Sequence, residues 1–235
     1  MRTTSLLSVL TVFSAGLLAA PLTASGASAA SDASAVEAAP SCSVRIPARI
    51  AVGSPYQAVK VTLAPDCAAA GVIDAYWTAY HPTAGGTAFA AFEAKARTGV
   101  VDVYDFDPLG HWSWRPSGAF GKDFKPVKQN YLASVVKVSS WSRLTATRAG
   151  RKVTLTAAAA RYAASLDRFV PWAGASGQLQ YKAPGATRWI PLKSVKTTAG
   201  GRYTYSYLMA TTRDYRVYFP ATGLIWNIAS PTVRK

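Results

Sequence analysis

Side chains able to do acid–base or metal chemistry are few in this 235-residue chain: two histidines, two cysteines and eleven carboxylates. His81 and His111 each stand beside a turn. Two imidazoles cannot build a multi-histidine metal centre, and neither sits in an H-E-x-x-H motif. No G-x-S-x-G elbow occurs either. His111 runs into Trp112-Ser113-Trp114, a strand pattern with packed indoles, so both histidines read as structural. Glycoside hydrolysis needs two carboxyl groups across a cleft. Glu37 and Glu93 are the only glutamates, and Glu37 precedes the expected fold. Asp74, in Ile73-Asp74-Ala75-Tyr76-Trp77, is the one acid among apolar neighbours. It reads as the surface side of an alternating strand; the alternative is a buried carboxyl with a raised pKa, a mark of functional sites. Asp102, Asp105 and Asp107 could offer oxygens to calcium, yet their segment lacks the glycine and glutamate of an EF-hand loop. It reads as a solvated turn. The expectation is a protein with no enzyme activity, no metal site and no cofactor. A hydrolase using Asp74 or His111 is the third-ranked reading.

Charge offers more. Lys and Arg number 26 against 11 acids, a net of +15. Residues 31–139 carry ten basic and nine acidic side chains, whereas residues 140–235 carry fifteen and two. So basic a segment creates a long-range potential that attracts anionic polymers. Strand alternation is expected to point Lys182, Lys193 and Arg216 outward with Tyr218, while Arg188 and Arg202 flank them. These five cations form the candidate anionic-ligand site, where charge and ring stacking would act together. The expected partner is an anionic polymer, either a wall polymer or an acidic polysaccharide, or else an extracellular protein. Lipid head groups and released DNA share the charge, but nothing points to specific nucleic-acid recognition. The competing explanation is solubility alone. Seven Trp and twelve Tyr also raise a carbohydrate-binding module, although Tyr203, Tyr205 and Tyr207 share one strand face and read as core.

Elements must position these groups, and export comes first. Arg2, an apolar run from Leu6 to Ala20 and then Ala27-Ser28-Ala29 have the layout of a secretory signal peptide, expected over 1–29. The run is too short for a comfortable membrane span. A loose leader is expected over 30–41, and the protein is expected to be secreted. An oxidising compartment makes Cys42 and Cys67 a disulfide. Closing that 26-residue loop is worth about 3.5 kcal/mol in the chain-entropy model, stapling the first strand to the end of the second. Short alternating runs separated by Pro and Gly fill the rest, as in Val153 and Leu155 against Lys152, Thr154 and Thr156. Ala-rich 86–98, with Phe89 and Phe92, leaves a short helix open as an alternative to a strand there. The fold class is all-β: two tandem immunoglobulin-like β-sandwiches, 42–139 and a basic 140–235, with no flexible linker at Ser139-Ser140.

Residues 137–235 also carry a series of motifs: Val136-Lys137-Val138-Ser139-Ser140, Arg148-Ala149-Gly150-Arg151-Lys152-Val153-Thr154-Leu155, Val170-Pro171-Trp172, Thr187-Arg188-Trp189 and Thr198-Ala199-Gly200-Gly201-Arg202-Tyr203. Together they resemble a repeat of uncharacterised secreted actinobacterial proteins. The resemblance implies an immunoglobulin-like β-sandwich over about the last 40% of the chain and brings no catalytic residue with it. The first domain resembles the partner that often precedes this repeat. The first-ranked function is a secreted, non-catalytic binding or adhesive module. The runner-up is a secreted inhibitor or effector that docks on another protein through loops or a strand edge.

Overall fold

The computed structural model describes residues 40–235, so the expected signal peptide and most of the leader lie outside the described residues. Ser41, placed at the leader's end by sequence, is already paired with Lys128. The first half contains β1 (Ser41–Cys42), β2 (Val44–Arg45), β3 (Arg49–Val52), β4 (Tyr56–Leu63), β5 (Asp74–His81), β6 (Gly85–Phe92), β7 (Thr98–Tyr104), β8 (Gly110–Phe120), β9 (Lys128–Gln129) and β10 (Leu132–Val138). A five-stranded sheet in the order β3-β10-β8-β5-β6 faces a three-stranded sheet, β2-β4-β7. β3 runs parallel to β10; the other pairings in these two sheets are antiparallel. The Ala-rich stretch open to a helix is strand β6. Hydrogen bonding to β5 and burial of Ala90 and Phe92 outweigh alanine's helical preference.

Between the sheets lie Trp77, Trp112 and Trp114, all without solvent contact. Each indole N–H is paired, to the Asn130 carbonyl, the Pro108 carbonyl and the Ser134 hydroxyl. An unpaired buried donor would cost stability, so these partners are a condition of using Trp in a core.

Cys42 and Cys67 are bonded. Cys67 does not end the second strand, however. It sits in a helical turn, α1 (Pro65–Ala69), that follows β4. Proline at the first helical position starts a turn, and Asp66 behind it suits the helix N-terminus. Asp66 accepts from the Ser43 N–H and hydroxyl, tying the turn to the strand that the disulfide also holds.

The second half contains β11 (Ser140–Ala149), β12 (Lys152–Ala163), β13 (Arg168–Pro171), β14 (Ser176–Lys182), β15 (Ile190–Lys196), β16 (Arg202–Leu208), β17 (Asp214–Phe219), β18 (Ile228–Ala229) and β19 (Val233–Arg234). β12 pairs with β11 on one side and with β13 and β16 on the other. The facing sheet runs β15-β14-β17-β18, with β19 also on β17. Val153, Leu155, Leu179, Val217 and Phe219 fill the core. Tyr203, Tyr205 and Tyr207 pack against it at the rim, half-buried, as their shared face predicts.

The halves are two β-sandwiches with separate cores, joined without slack. β10 ends at Val138 and β11 begins at Ser140; Ser139 donates to Val52 and accepts from Tyr162. Trp226 closes this junction. Its indole N–H donates to the Ile50 carbonyl at 2.7 Å, with Arg49 and Lys137 against its ring at 4.1 and 5.0 Å. Among the described residues no helix is long and apolar enough to cross a membrane.

Candidate ligand-binding face

The outer face of the β15-β14-β17 sheet carries a continuous strip of polar, aromatic and cationic side chains. Register builds it. Gln178 lies opposite Tyr218, Gln180 opposite Arg216 and Lys182 opposite Asp214, while Leu179, Tyr181, Val217 and Tyr215 take the inward positions between them. The loop from β14 to β15 returns Trp189 to this face, half-buried. The Arg216 guanidinium lies 4.3 Å and the Lys182 ammonium 5.2 Å from its ring centre. Both distances are within cation–π range. Lys182 Nζ also donates to the Ala186 carbonyl, and Arg216 Nε to Gln180 Oε1 at 2.8 Å. Gln180 donates in turn to Gln178. The cations are therefore fixed by neutral partners rather than by carboxylates.

That absence of acid is electrostatically telling. Among the described residues one ion pair is present, Arg234 with Asp214 at 2.7 Å. The hydrogen bond from Arg234 holds the Asp214 carboxyl below its ordinary pKa. The nearest acid of the strip is thus already neutralised. Burial lowers the Arg216 guanidinium from its usual pKa. A partly dehydrated cation with no counter-charge gains from an anion that enters beside it.

Beyond Gln178 the strip opens into a shallow pocket of about 620 Å³, bordered by Ser176, Ser194, Lys196, Tyr218 and Pro220. Gly177 lets the strands meet here, since a Cβ at this position would stand 2.5 Å from the Tyr218 carbonyl oxygen.

Of the five cations singled out from sequence, Lys182 and Arg216 meet on Trp189, and Arg188 is exposed beside it. Lys193 and Arg202 lie elsewhere. A bulge between Leu179 and Gln180 shifts the register, so Lys193 stands opposite inward-facing Leu179. It does not point outward with Tyr218: its ammonium reaches over the Tyr205 ring at 5.8 Å, on the core-side rim. Arg202 is on β16, in the other sheet. Simple alternation cannot foresee a bulge or assign a strand to a sheet. Trp189 and the two glutamines escaped the sequence reading. Trp189 was in view beside Arg188, but only the β14–β17 register brings two cations against its ring.

The other candidate groups are dispersed. The His81 ring nitrogens meet the Leu109 carbonyl and the Thr83 hydroxyl. His111 is exposed, and Asp74 accepts from the Ala94 N–H. Asp102 accepts from the Tyr56 hydroxyl, Asp107 from the Tyr104 N–H and Asp105 from the Tyr162 hydroxyl. Among the described residues no three His, Cys, Asp or Glu side chains gather as metal ligands.

No protein-family model matches the chain, and neither does any curated protein sequence. Solved structures give distant likenesses. Bovine butyrophilin is 10% identical over 83% of this chain and 97% of its own, with a TM-score of 0.34. The D0-D1 domain of intimin is 12% identical over 83% and 97%, with a TM-score of 0.27. The human OSCAR ligand-binding domain is 14% identical over 83% and 98%, again at 0.27. Nothing about ligand or partner follows from values this low.

Proposed function

We propose that the chain is an exported, non-catalytic binding protein whose second sandwich holds an anionic, sugar-containing polymer along the Lys182–Trp189–Arg216 strip. The observation that carries this reading is the indole with two cations from neighbouring strands against its ring and no free carboxylate nearby. An indole face stacks on a sugar ring while the flanking cations take its acidic groups. The adjoining pocket, with Gln178, Tyr218 and Lys196, gives a second residue of the polymer hydroxyl partners and one more cation. The disulfide fits an oxidising compartment, and the scattered histidines and carboxylates favour binding over catalysis.

Affinity for an acidic polysaccharide should fall steeply with salt, because each ion contact releases counterions. Trp189→Ala should weaken it at least tenfold at constant salt, and Arg216→Gln should also flatten the salt dependence. Retention of an uncharged polysaccharide equal to that of the acidic one would replace this reading with a neutral carbohydrate-binding module. Affinity unchanged in Trp189→Ala would refute it.

A specific feature of the first sandwich favours a second reading, a protein-docking inhibitor or effector. The edge strands β6 and β7 lie against each other, and Phe89, Val100 and Tyr104 are exposed along them with Phe106, 78% exposed, just beyond. A partner protein could dock on such an apolar strip. One stoichiometric protein partner, insensitive to Trp189→Ala, would identify that mode.

A further inference from the structure

The opposite face of the second sandwich holds another cleft. On β11, β12 and β16 the outward residues fall in rungs: Thr147, Thr154 and Ser206 form one; Thr145, Thr156 and Thr204 the next; Arg143, Ala158 and Arg202 the third. Neighbouring strands are about 4.8 Å apart, so the backbones of Arg143 and Arg202 are roughly 10 Å apart across the small Ala158. Trp141, 43% exposed, stands at the end of the row. Together with Thr145 and Thr156 these residues line a cleft of about 290 Å³. Neither guanidinium has a carboxylate partner; the one ion pair among the described residues is Arg234–Asp214.

We infer that this cleft is an anion site that binds a phosphodiester group of a polyol- or sugar-phosphate chain. Two forks approaching from opposite strands select the chemistry. A carboxylate is a side group that ends at its oxygens and pairs best side by side with one guanidinium. A phosphodiester lies within its chain, so its two non-bridging oxygens can meet one fork each across Ala158 while the chain continues in both directions, toward the threonines on one side and Trp141 on the other. The Thr145 and Thr156 hydroxyls then meet polyol or sugar hydroxyls, and Trp141 covers the next unit of the chain. The site is separate from the Trp189 strip. The inference rests on the polymer reading above only in taking the ligand to be a chain.

The test uses the full chain, a glycerol-phosphodiester oligomer and an oligogalacturonate of equal charge, with binding followed by calorimetry and the Trp141 indole by NMR. Arg143→Ala/Arg202→Ala should weaken the phosphodiester oligomer at least tenfold and abolish the Trp141 shift. Arg143→Lys/Arg202→Lys, which keeps charge but loses the forks, should recover less than half of that loss in log affinity. Unchanged thermal midpoints in both pairs establish that the fold is intact. In Trp189→Ala the Trp141 shift should persist, which separates this site from the strip: its persistence with unaltered overall affinity would refute the strip and leave this cleft standing. Wild-type affinity in the double alanine variant overturns the inference. So does oligogalacturonate binding of equal strength with equal dependence on the two arginines.

Discussion

Trp77, Trp112 and Trp114 of the first sandwich are wholly buried, whereas Trp141, Trp189 and Trp226 of the second lie on a face or at the junction with cations beside them. Trp172 alone is buried in the second core. The charge balance differs likewise, near neutral in one half and strongly positive in the other. The first sandwich commits its three indoles to cohesion and adds a disulfide. The second fills its interior with aliphatics and a tyrosine wall, pairs β11 with β12 over ten residues, and leaves its indoles at the surface for contact. On the polymer-binding proposal, one half supports and the other makes the contact.

The largest effect should come from attacking the support. Trp112→Ala removes a fully buried indole and should cost about 3–5 kcal/mol. Trp189→Ala should cost under about 1 kcal/mol, its penalty appearing in polymer binding. Urea titrations of both variants check this, and equal losses would erase the contrast. Replacing Cys42 and Cys67 with Ala comes next, at about 3.5 kcal/mol, confined to the first sandwich. A second-sandwich transition that moves equally far would show that the halves cannot be assigned separate roles.

Trp226→Ala sharpens the comparison at the boundary. It removes one hydrogen bond and two cation–π contacts, together about 2 kcal/mol. Calorimetry should then separate the transitions of the two sandwiches further than in the parent. An unchanged separation in the variant would place the coupling in the backbone bonds around Ser139 instead.

Period-two patterning made the paired sheets legible because inward and outward faces alternate cleanly in segments such as Lys152–Thr156 and Tyr215–Phe219. The Cys42–Cys67 bond was legible from compartment chemistry. What escaped has a common cause, dependence on pairing across the chain. β1 and β2 are two residues each, too short to show a period, and exist only through β9 and β4. The Trp189 clamp needs three segments in one register. Lys193 needed a bulge, and Arg202 needed the knowledge that β16 joins β12 rather than β14. Charge excess named the basic half, but residue types alone could not group its cations into sites.

The smallest predicted effect concerns Tyr162, which belongs to β12 yet packs in the first core. Burial, followed by its hydrogen bond to Asp105, pushes its hydroxyl up to about 12. An unfolded tyrosine loses its proton near pH 10. Between these values the folded chain retains a proton that the unfolded chain has released, so stability must decline as pH rises. Its contribution is intact below pH 10 and gone above the folded value. Tyr207, raised by burial and by the Tyr215 hydroxyl, adds a similar alkaline loss in the second sandwich. Tyr162→Phe keeps the ring and removes the hydroxyl. It should cost about 0.5–1.5 kcal/mol at neutral pH and make the first sandwich's decline between pH 10 and 12 shallower, leaving the second's unchanged. Thermal melts from pH 8 to 12 measure both slopes. An identical first-sandwich slope in the variant would mean that the bond to Asp105 does not link the second sandwich's longest strand to the stability of its supporting neighbour.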